Sequence, residues 1–311
     1  MNSYLCFDLG GTYTKYALIN TKGQIVLSDK YHTGEITDPE LLLKQFVLRF
    51  FALKKQYHII GAGFSCHGII DPKRGYIAFG SPYVKALENY PLVERFKQET
   101  GMTCVVIEND VNAAAIGEAA YWQESHYQNY LFLTLGTSIG GAIILNGQLY
   151  RGVNNAAGEF GYMVTHAQAN KLGSVNKESK GKRMLPGAWE SYASANKLLD
   201  MYCAATQSDK VSIVDFKAQL LNSNPVAVQI FEEYLYELIM GLVSLTHVLA
   251  PELIIIGGAI SEESFFIDAV KQYFQQNVLP FYRETKIMPA HLGNQAGVQG
   301  IACLLSKIKV C

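Results

Sequence analysis

Apolar residues run together at positions 4–7, give way to small and polar ones from Asp8 to Lys15, and resume at 16–19. That spells strand, tight turn, strand: a hairpin of 4–8 with 15–20, and a third strand over 23–30. The pattern recurs at 130–135, where an apolar strand breaks at Gly136-Thr137-Ser138, resumes at Ile139 and ends at Asn146-Gly147. Between the two copies, Leu42, Phe46, Phe50 and Leu53 fall on one helical face. Asp38 serves as the cap of that helix and Pro39 as its first residue. The alternation then predicts strands over 59–64 and 104–108 and an alanine-rich helix over 111–122, interrupted only by Gly117.

In the second half, helices are predicted over 189–206, 215–222 and 226–250, the last stopped by Pro251. The run 253–256 is unbroken and apolar, as in a strand buried on both faces, and ends at Gly257-Gly258. An amphipathic helix closes the chain at 297–309. Residues 166–187 are polar, with five basic side chains and one acidic one between Lys171 and Arg183, and read as a surface loop. Hairpin, strand, helix, strand, helix, given twice, predicts an α/β protein of two similar halves with a cleft between them. The expected domains are 1–118 with 296–311, and 119–295.

Composition narrows the function classes. The chain has 311 residues, 49% of them hydrophobic and 17% charged, enough for two cores. A net charge of −1 gives no reason to expect a nucleic-acid partner. No uncharged run is long enough to span a bilayer. The six cysteines form no Cys-x-x-Cys pair, so buried thiols in a cytoplasmic protein are expected, with neither disulfides nor a zinc knuckle. The strand at the N-terminus leads to the expectation of no signal peptide. His67 and His166 are undecided, His247 reads as a satisfied core histidine, and the other histidines read as surface.

The chemistry gathers at the breaks. The two Gly-rich turns can bring backbone N–H groups close to an anion, with hydroxyls of Thr12, Thr14, Thr137 and Ser138 as further donors. Gly10, Gly11, Thr12, Gly136 and Thr137 are therefore the candidates for phosphate contacts. The same glycines would also suit plain hairpins, but two matching turns and a third Gly-Gly at 257 favour a phosphate cradle. Asp8 beside it would repel phosphate without a cation, which points to Mg²⁺, direct or through water. Lys15 either reaches a phosphate or is solvated. In Glu108-Asn109-Asp110, at a strand-to-helix junction, Asn109 suits a helix cap and Asp110 a proton acceptor. Glu159 and Glu190 are carboxylates of the kind that bind adjacent sugar hydroxyls, although a surface glutamate is the plainer reading of Glu190.

These pieces together resemble the ROK family (repressors, open reading frames and sugar kinases), of the actin-like ATPase fold. The stretches that carry the resemblance are Asp8-Leu9-Gly10-Gly11-Thr12-x-x-Lys15, Glu108-Asn109-Asp110-Val111-Asn112-Ala113-Ala114-Ala115 and Leu135-Gly136-Thr137-x-Ile139-Gly140-Gly141, followed by Gly158-Glu159-Phe160-Gly161, Glu190-x-Tyr192-Ala193-Ser194-Ala195 and Ile256-Gly257-Gly258. The resemblance implies a two-domain actin-like ATPase fold, a duplicated ribonuclease H-like unit, and an ATP-dependent kinase for the 6-hydroxyl of a hexose. It assigns Asp110 as catalytic base and Asn109, Glu159 and Glu190 as sugar ligands. Gly68 would abut the sugar, while Gly257 and Gly258 would lie against the nucleoside. A cytoplasmic homodimer without nucleic-acid or membrane partners is the form such kinases take.

The chain departs from the family in one region. Many members hold zinc through a His after the Gly-Glu-x-Gly stretch and three cysteines, the last of which falls at position 188. Here Tyr162 and Ala188 stand at those places, and no cysteine lies between Cys104 and Cys203. No structural zinc is expected. The loop 166–187 is then either held by other means, such as packing of Trp189, or mobile. The lost His also contacts the sugar near C1–C2, so Tyr162 leaves room for a glycoside or a 2-substituted sugar. His67 replaces a loop proline. Glucose, N-acetylmannosamine and β-glucosides all remain candidates. The family's repressors carry an N-terminal DNA-binding domain, for which a first strand at residue 4 leaves no room. A sugar-sensing ATP-binding protein without turnover is the other reading.

Overall fold

The computed structural model describes residues 1–34, 38–80, 85–121, 127–167, 177–179 and 182–308. The chain forms two units. The first comprises Met1–His126, Arg151–Ala156 and Asn294–Cys311; the second comprises Tyr127–Tyr150 and Ala157–Gly293.

The first unit holds β1 (Asn2–Leu9), β2 (Tyr13–Asn20), β3 (Ile25–His32), α1 (Pro39–Lys54), β4 (His58–Cys66), β5 (Ile69–Asp71), β6 (Tyr76–Phe79), α2 (Leu92–Thr100), β7 (Val105–Asn109) and α3 (Asp110–Tyr121). Its main sheet runs β3-β2-β1-β4-β7, antiparallel across the first three strands and parallel across the last three. Alternation along β1 decides the layering. Leu5, Phe7 and Leu9 face a core that includes Phe46 and Phe50 of α1 and Phe96 of α2. Tyr4 and Cys6 face the opposite core, with Ala113 of α3 and Ile301 of the chain's last helix. Asp38 caps α1 by accepting the Glu40 N–H at 2.9 Å, as its sequence predicts.

The second unit repeats the plan. It holds β8 (Tyr130–Leu135), β9 (Ile139–Leu145), β10 (Gln148–Leu149), β11 (Lys177–Ser179), β12 (Lys182–Met184), α4 (Glu190–Ala193), α5 (Ala195–Thr206), α6 (Ile213–Leu221), α7 (Pro225–Leu249), β13 (Leu253–Gly257), α8 (Ser264–Asn277) and β14 (Lys286–Pro289). The order β10-β9-β8-β13-β14 has the same alternation of antiparallel and parallel pairs as the first sheet. The duplication read in the sequence is thus a duplication of topology, that of the two-domain actin-like ATPase fold. α9 (Ala296–Lys307) returns to the first unit.

Four expectations are corrected in detail. The helix predicted over 189–206 is two helices, because Ser194 takes an extended ψ of 157° and caps α5 by accepting the Lys197 N–H. Asp215 does not begin its helix. It is the third residue, in a capping box with Ser212. Within the predicted loop 166–187, β11 and β12 pair as a short antiparallel ladder. His247 is exposed rather than core, and its Nε2 accepts the Leu279 N–H at 3.3 Å. Residues 122 and 309, the ends of two predicted helices, lie outside the described residues, as does His126.

Candidate active site

In the first unit, the sheet register sets a polar row across the carboxyl ends of β1, β4 and β7 and the amino end of β2. Lys15 pairs with Asp8, Asp8 with Ser65, and Ser65 with Glu108. Ser65 donates to Asp8 at 2.9 Å, and Lys15 Nζ lies 3.7 Å from the other oxygen while donating to Asn294 at 3.1 Å. Burial pushes the Asp8 carboxyl above the ordinary aspartate value. The Ser65 bond and Lys15 oppose that shift, and the Asp110 charge adds to it. Asp8, Lys15 and Asp110 therefore share one electrostatic environment.

The first Gly-rich turn differs from expectation in its donors. Gly10 spends its N–H on the Tyr13 carbonyl at 3.2 Å, which closes the turn. Thr14 is fully buried and donates to Thr33 Oγ1 at 3.0 Å, while Thr33 donates to the Gly10 carbonyl at 2.9 Å. Thr14 is a prop behind the turn, because its place on a strand with both faces covered turns it inward. The N–H groups of Gly11 and Thr12 have no hydrogen-bond acceptor among the described residues, so they are the donors this turn can offer.

At the junction of β7 and α3, Asn109 is the helix cap. Asn109 Oδ1 accepts the N–H groups of Val111 at 2.9 Å and Asn112 at 3.0 Å, capping α3. Its Nδ2 donates to the Gly68 carbonyl at 3.0 Å, which brings those two predicted sugar contacts together. Asp110, half-buried, gives one oxygen to the Val111 N–H at 3.0 Å. The cap thus falls to Asn109, and the Asp110 carboxylate keeps capacity to accept a proton.

In the second unit, the Gly136-Thr137 turn lies exposed at the end of β8, with the Gly136 N–H closing onto the Ser138 carbonyl at 3.1 Å. Gly258 stands beside it at φ +103°. A Cβ there would sit 2.0 Å from the Leu135 carbonyl oxygen, so no other residue fits. Gly257 is buried at the end of β13, in register with Thr134. Glu159, Tyr162 and Glu190 form the other group. Burial raises the Tyr162 hydroxyl above its ordinary value, and the charges of Glu190 and Glu159 raise it further. Glu190 Oε2 reaches 3.0 Å from where a Cβ on Gly161 would be, so this glycine leaves the room the carboxylate uses.

Each half of this arrangement, a Gly-rich hairpin backed by an in-register sheet, has counterparts in known proteins. The model of the ROK family matches residues 4–308. The chain belongs to the ROK family. A β-glucoside kinase of Listeria innocua serovar 6a is 30% identical over 300 residues, 94% of each chain. A xylose repressor of Bacillus spizizenii is 26% identical over 96% of this chain and 75% of its own length. The structure of a ROK family glucokinase from Streptomyces griseus, in complex with glucose and AMPPNP, is 26% identical. It matches at a TM-score of 0.78 over 97% of this chain and 98% of that one.

This ROK protein ties together the two ends of its 166–187 segment with hydrogen bonds and packing. Val164 and Ala188 form an antiparallel bridge, and Trp189 donates its N–H to the Met163 carbonyl at 2.7 Å. The Trp189 ring is fully buried and its Nε1 donates to the Glu237 carbonyl of α7 at 2.9 Å. His166, undecided from sequence, stacks on Tyr192 at 3.7 Å between ring centres, with Nε2 3.3 Å from Glu237 Oε1. Residues 168–176, 180 and 181 lie outside the described residues.

Sequence reasoning missed Ser65, Thr33 and Arg151. Ser65 and Thr33 carry no periodic signal and acquire their roles from strand register. Arg151 pairs with Glu108 across a long stretch of chain, beyond the reach of any local pattern.

Proposed function

We propose that this protein is an ATP-dependent kinase that phosphorylates the 6-hydroxyl of a hexose or hexose derivative, with Asp110 as general base. The observation that carries the proposal is the division at the α3 N-terminus: Asn109 does the capping, which leaves Asp110 a carboxylate oxygen without a hydrogen bond among the described residues. A carboxylate so held takes the proton of an attacking hydroxyl as the oxygen closes on phosphorus.

In this reading, ATP is the phosphoryl donor. Gly11 and Thr12 of the first unit and Gly136 and Thr137 of the second bind its phosphates, with Gly10 shaping the first turn. Gly257 and Gly258 border the nucleoside. Lys15 adds a positive charge beside Asp8. The Asp8 carboxylate, at the end of β1 beside the first Gly-rich turn, would suit Mg²⁺, direct or through water, because a hard cation takes carboxylate oxygen. Mg²⁺ bound with the nucleotide would neutralise the phosphate oxygens. The sugar ligands are Gly68 and Asn109 from the first unit and Glu159, Tyr162 and Glu190 from the second. The two glutamates each accept from paired hydroxyls, and Asn109 keeps one amide hydrogen for the sugar beyond the one given to Gly68. Substrates are glucose, N-acetylmannosamine or β-glucosides. The relationship to a β-glucoside kinase and a glucokinase supports the class.

The test is ADP release over hexoses, hexosamines and β-glucosides, with wild type and Asp110→Asn. The wild type is expected to turn over at least one sugar, and Asp110→Asn to lose about three orders of magnitude in kcat while still binding that sugar. Near wild-type kcat in the variant sinks the base assignment. No release with any sugar favours the sensing role that the relationship to a repressor would support.

A further inference from the structure

Glu108 is a carboxylate without a role in the reaction proposed above, yet it is 2% exposed and two residues from the base. Burying such a charge is costly unless every oxygen is occupied. Here both are. Oε1 accepts the Asn109 backbone N–H at 2.9 Å and Asn112 Nδ2 at 3.1 Å. Oε2 forms an ion pair with Arg151 Nη2. The Oε1 bonds run to both sides of Asp110: to the residue before it and to one in the first turn of the helix it begins. The Glu108 carboxylate is thus a clamp across the turn that aims the base.

Arg151 completes the clamp from an unusual place. It opens Arg151–Ala156, a segment that belongs to the first unit although the chain on both sides of it belongs to the second. The polar row described above therefore has a cation at each end: Lys15, Asp8, Ser65, Glu108, Arg151. Only Nη2 of the guanidinium bonds Glu108, and Arg151 Nε is buried with no hydrogen-bond partner among the described residues. The contact thus uses the charge of Arg151 rather than its fork.

We propose that Arg151 is a positioning residue for Asp110: by holding the Glu108 carboxylate in place it fixes the Asn109-Asp110 turn in its reactive orientation. The inference rests on the reading of Asp110 as base. Arg151 touches neither sugar nor nucleotide in this scheme. Its removal leaves a buried carboxylate without its ion-pair partner, which pulls it from its bonds to Asn109 and Asn112. A shift of the turn by about 1 Å is enough to cost about 100-fold in rate.

The experiment compares wild type, Arg151→Met, Arg151→Lys and Glu108→Gln/Arg151→Met. Two measurements are made: steady-state ADP release with the sugar the wild type turns over, and hydrogen exchange of the intact proteins. Arg151→Met is expected to lose about 100-fold in kcat with KM for ATP changed less than about three-fold. Arg151→Lys restores the charge. The double variant removes the need for it, since the neutral amide introduced by Glu108→Gln has a carbonyl oxygen to accept the same two bonds from Asn109 and Asn112. Both are expected within about ten-fold of wild type. Exchange over 105–116 is expected to quicken in Arg151→Met and to return in the double variant, with 253–257 unchanged.

A folded Arg151→Met with wild-type kcat overturns the proposal, as does a double variant as impaired as the single one. If Arg151→Met does not fold, Arg151→Lys and the double variant decide: a loss beyond about ten-fold in either overturns it. Exchange at 105–116 that matches wild type in Arg151→Met overturns it without reference to turnover. A wild type that releases no ADP with any sugar, while the exchange pattern follows expectation, fails the kinase reading alone and leaves the clamp established.

Discussion

At the scale of single residues, the site is a set of side chains whose partners decide their function. Asn109 and Asp110 are adjacent and similar in size, but one is consumed by the helix cap and the other is not. Glu190 and Glu159 lie within electrostatic reach of the Tyr162 hydroxyl. In the proposed sugar site, a tyrosine beside two carboxylates adds a ring face for the sugar and an O–H donor. Tyr162→Ala is therefore expected to raise the KM for sugar about ten-fold and leave the KM for ATP unchanged, as read by varying each substrate in turn. An equal change in both would place Tyr162 outside the sugar site. Both carboxylates were candidates in the sequence, Glu190 only through the family resemblance. That Tyr162 feels both charges was not legible there, because Glu190 lies well beyond it in the chain and reaches it only through the fold.

At the scale of elements, the first-unit part of the site depends on how α3 and α9 cross. A Cβ on Gly300 would lie 1.7 Å from the Ala113 carbonyl oxygen, and one on Gly117 would lie 2.6 Å from that of Ala296. Backbone meets backbone there, so nothing flexible can yield. α3 begins at Asp110, and α9 begins one residue before Gly297, which sits against Asp8 and Ser65. The crossing thus holds Asp110 and the Asp8 carboxylate in one rigid frame. Gly300→Ala is expected to cost about 3 kcal/mol by denaturant unfolding and to lower kcat in the remaining folded protein. An unchanged unfolding midpoint would mean the helices part without penalty. The amphipathic pattern of α9 announced a buried face. The closeness of its approach to α3 was invisible in the pattern, since glycine reads locally as a weak helix former and acquires meaning only from what packs on it.

At the scale of the whole molecule, the same sheet is built twice, and the proposed phosphate contacts are laid on the same feature of each copy, the turn between its first two strands. Phosphate charge in such a site needs a counter-cation. Removing Mg²⁺ with EDTA is expected to abolish ADP release and re-addition to restore it, whereas a zinc-selective chelator leaves the thermal midpoint unchanged. A fall in that midpoint, or stoichiometric zinc by elemental analysis, would refute the second expectation. The sequence by itself determined the family, the duplicated α/β plan and the candidate for the base, because each rests on short-range patterns: alternation, glycine turns and a strand-to-helix tripeptide. It misjudged Thr14 as a phosphate donor, since facing inward or outward on a doubly covered strand depends on what the other layers bring. Tertiary structure alone decided the row from Lys15 to Arg151. Strand register and a distant segment assemble that row, and the energy that selects it is the cost of leaving a buried charge without a partner.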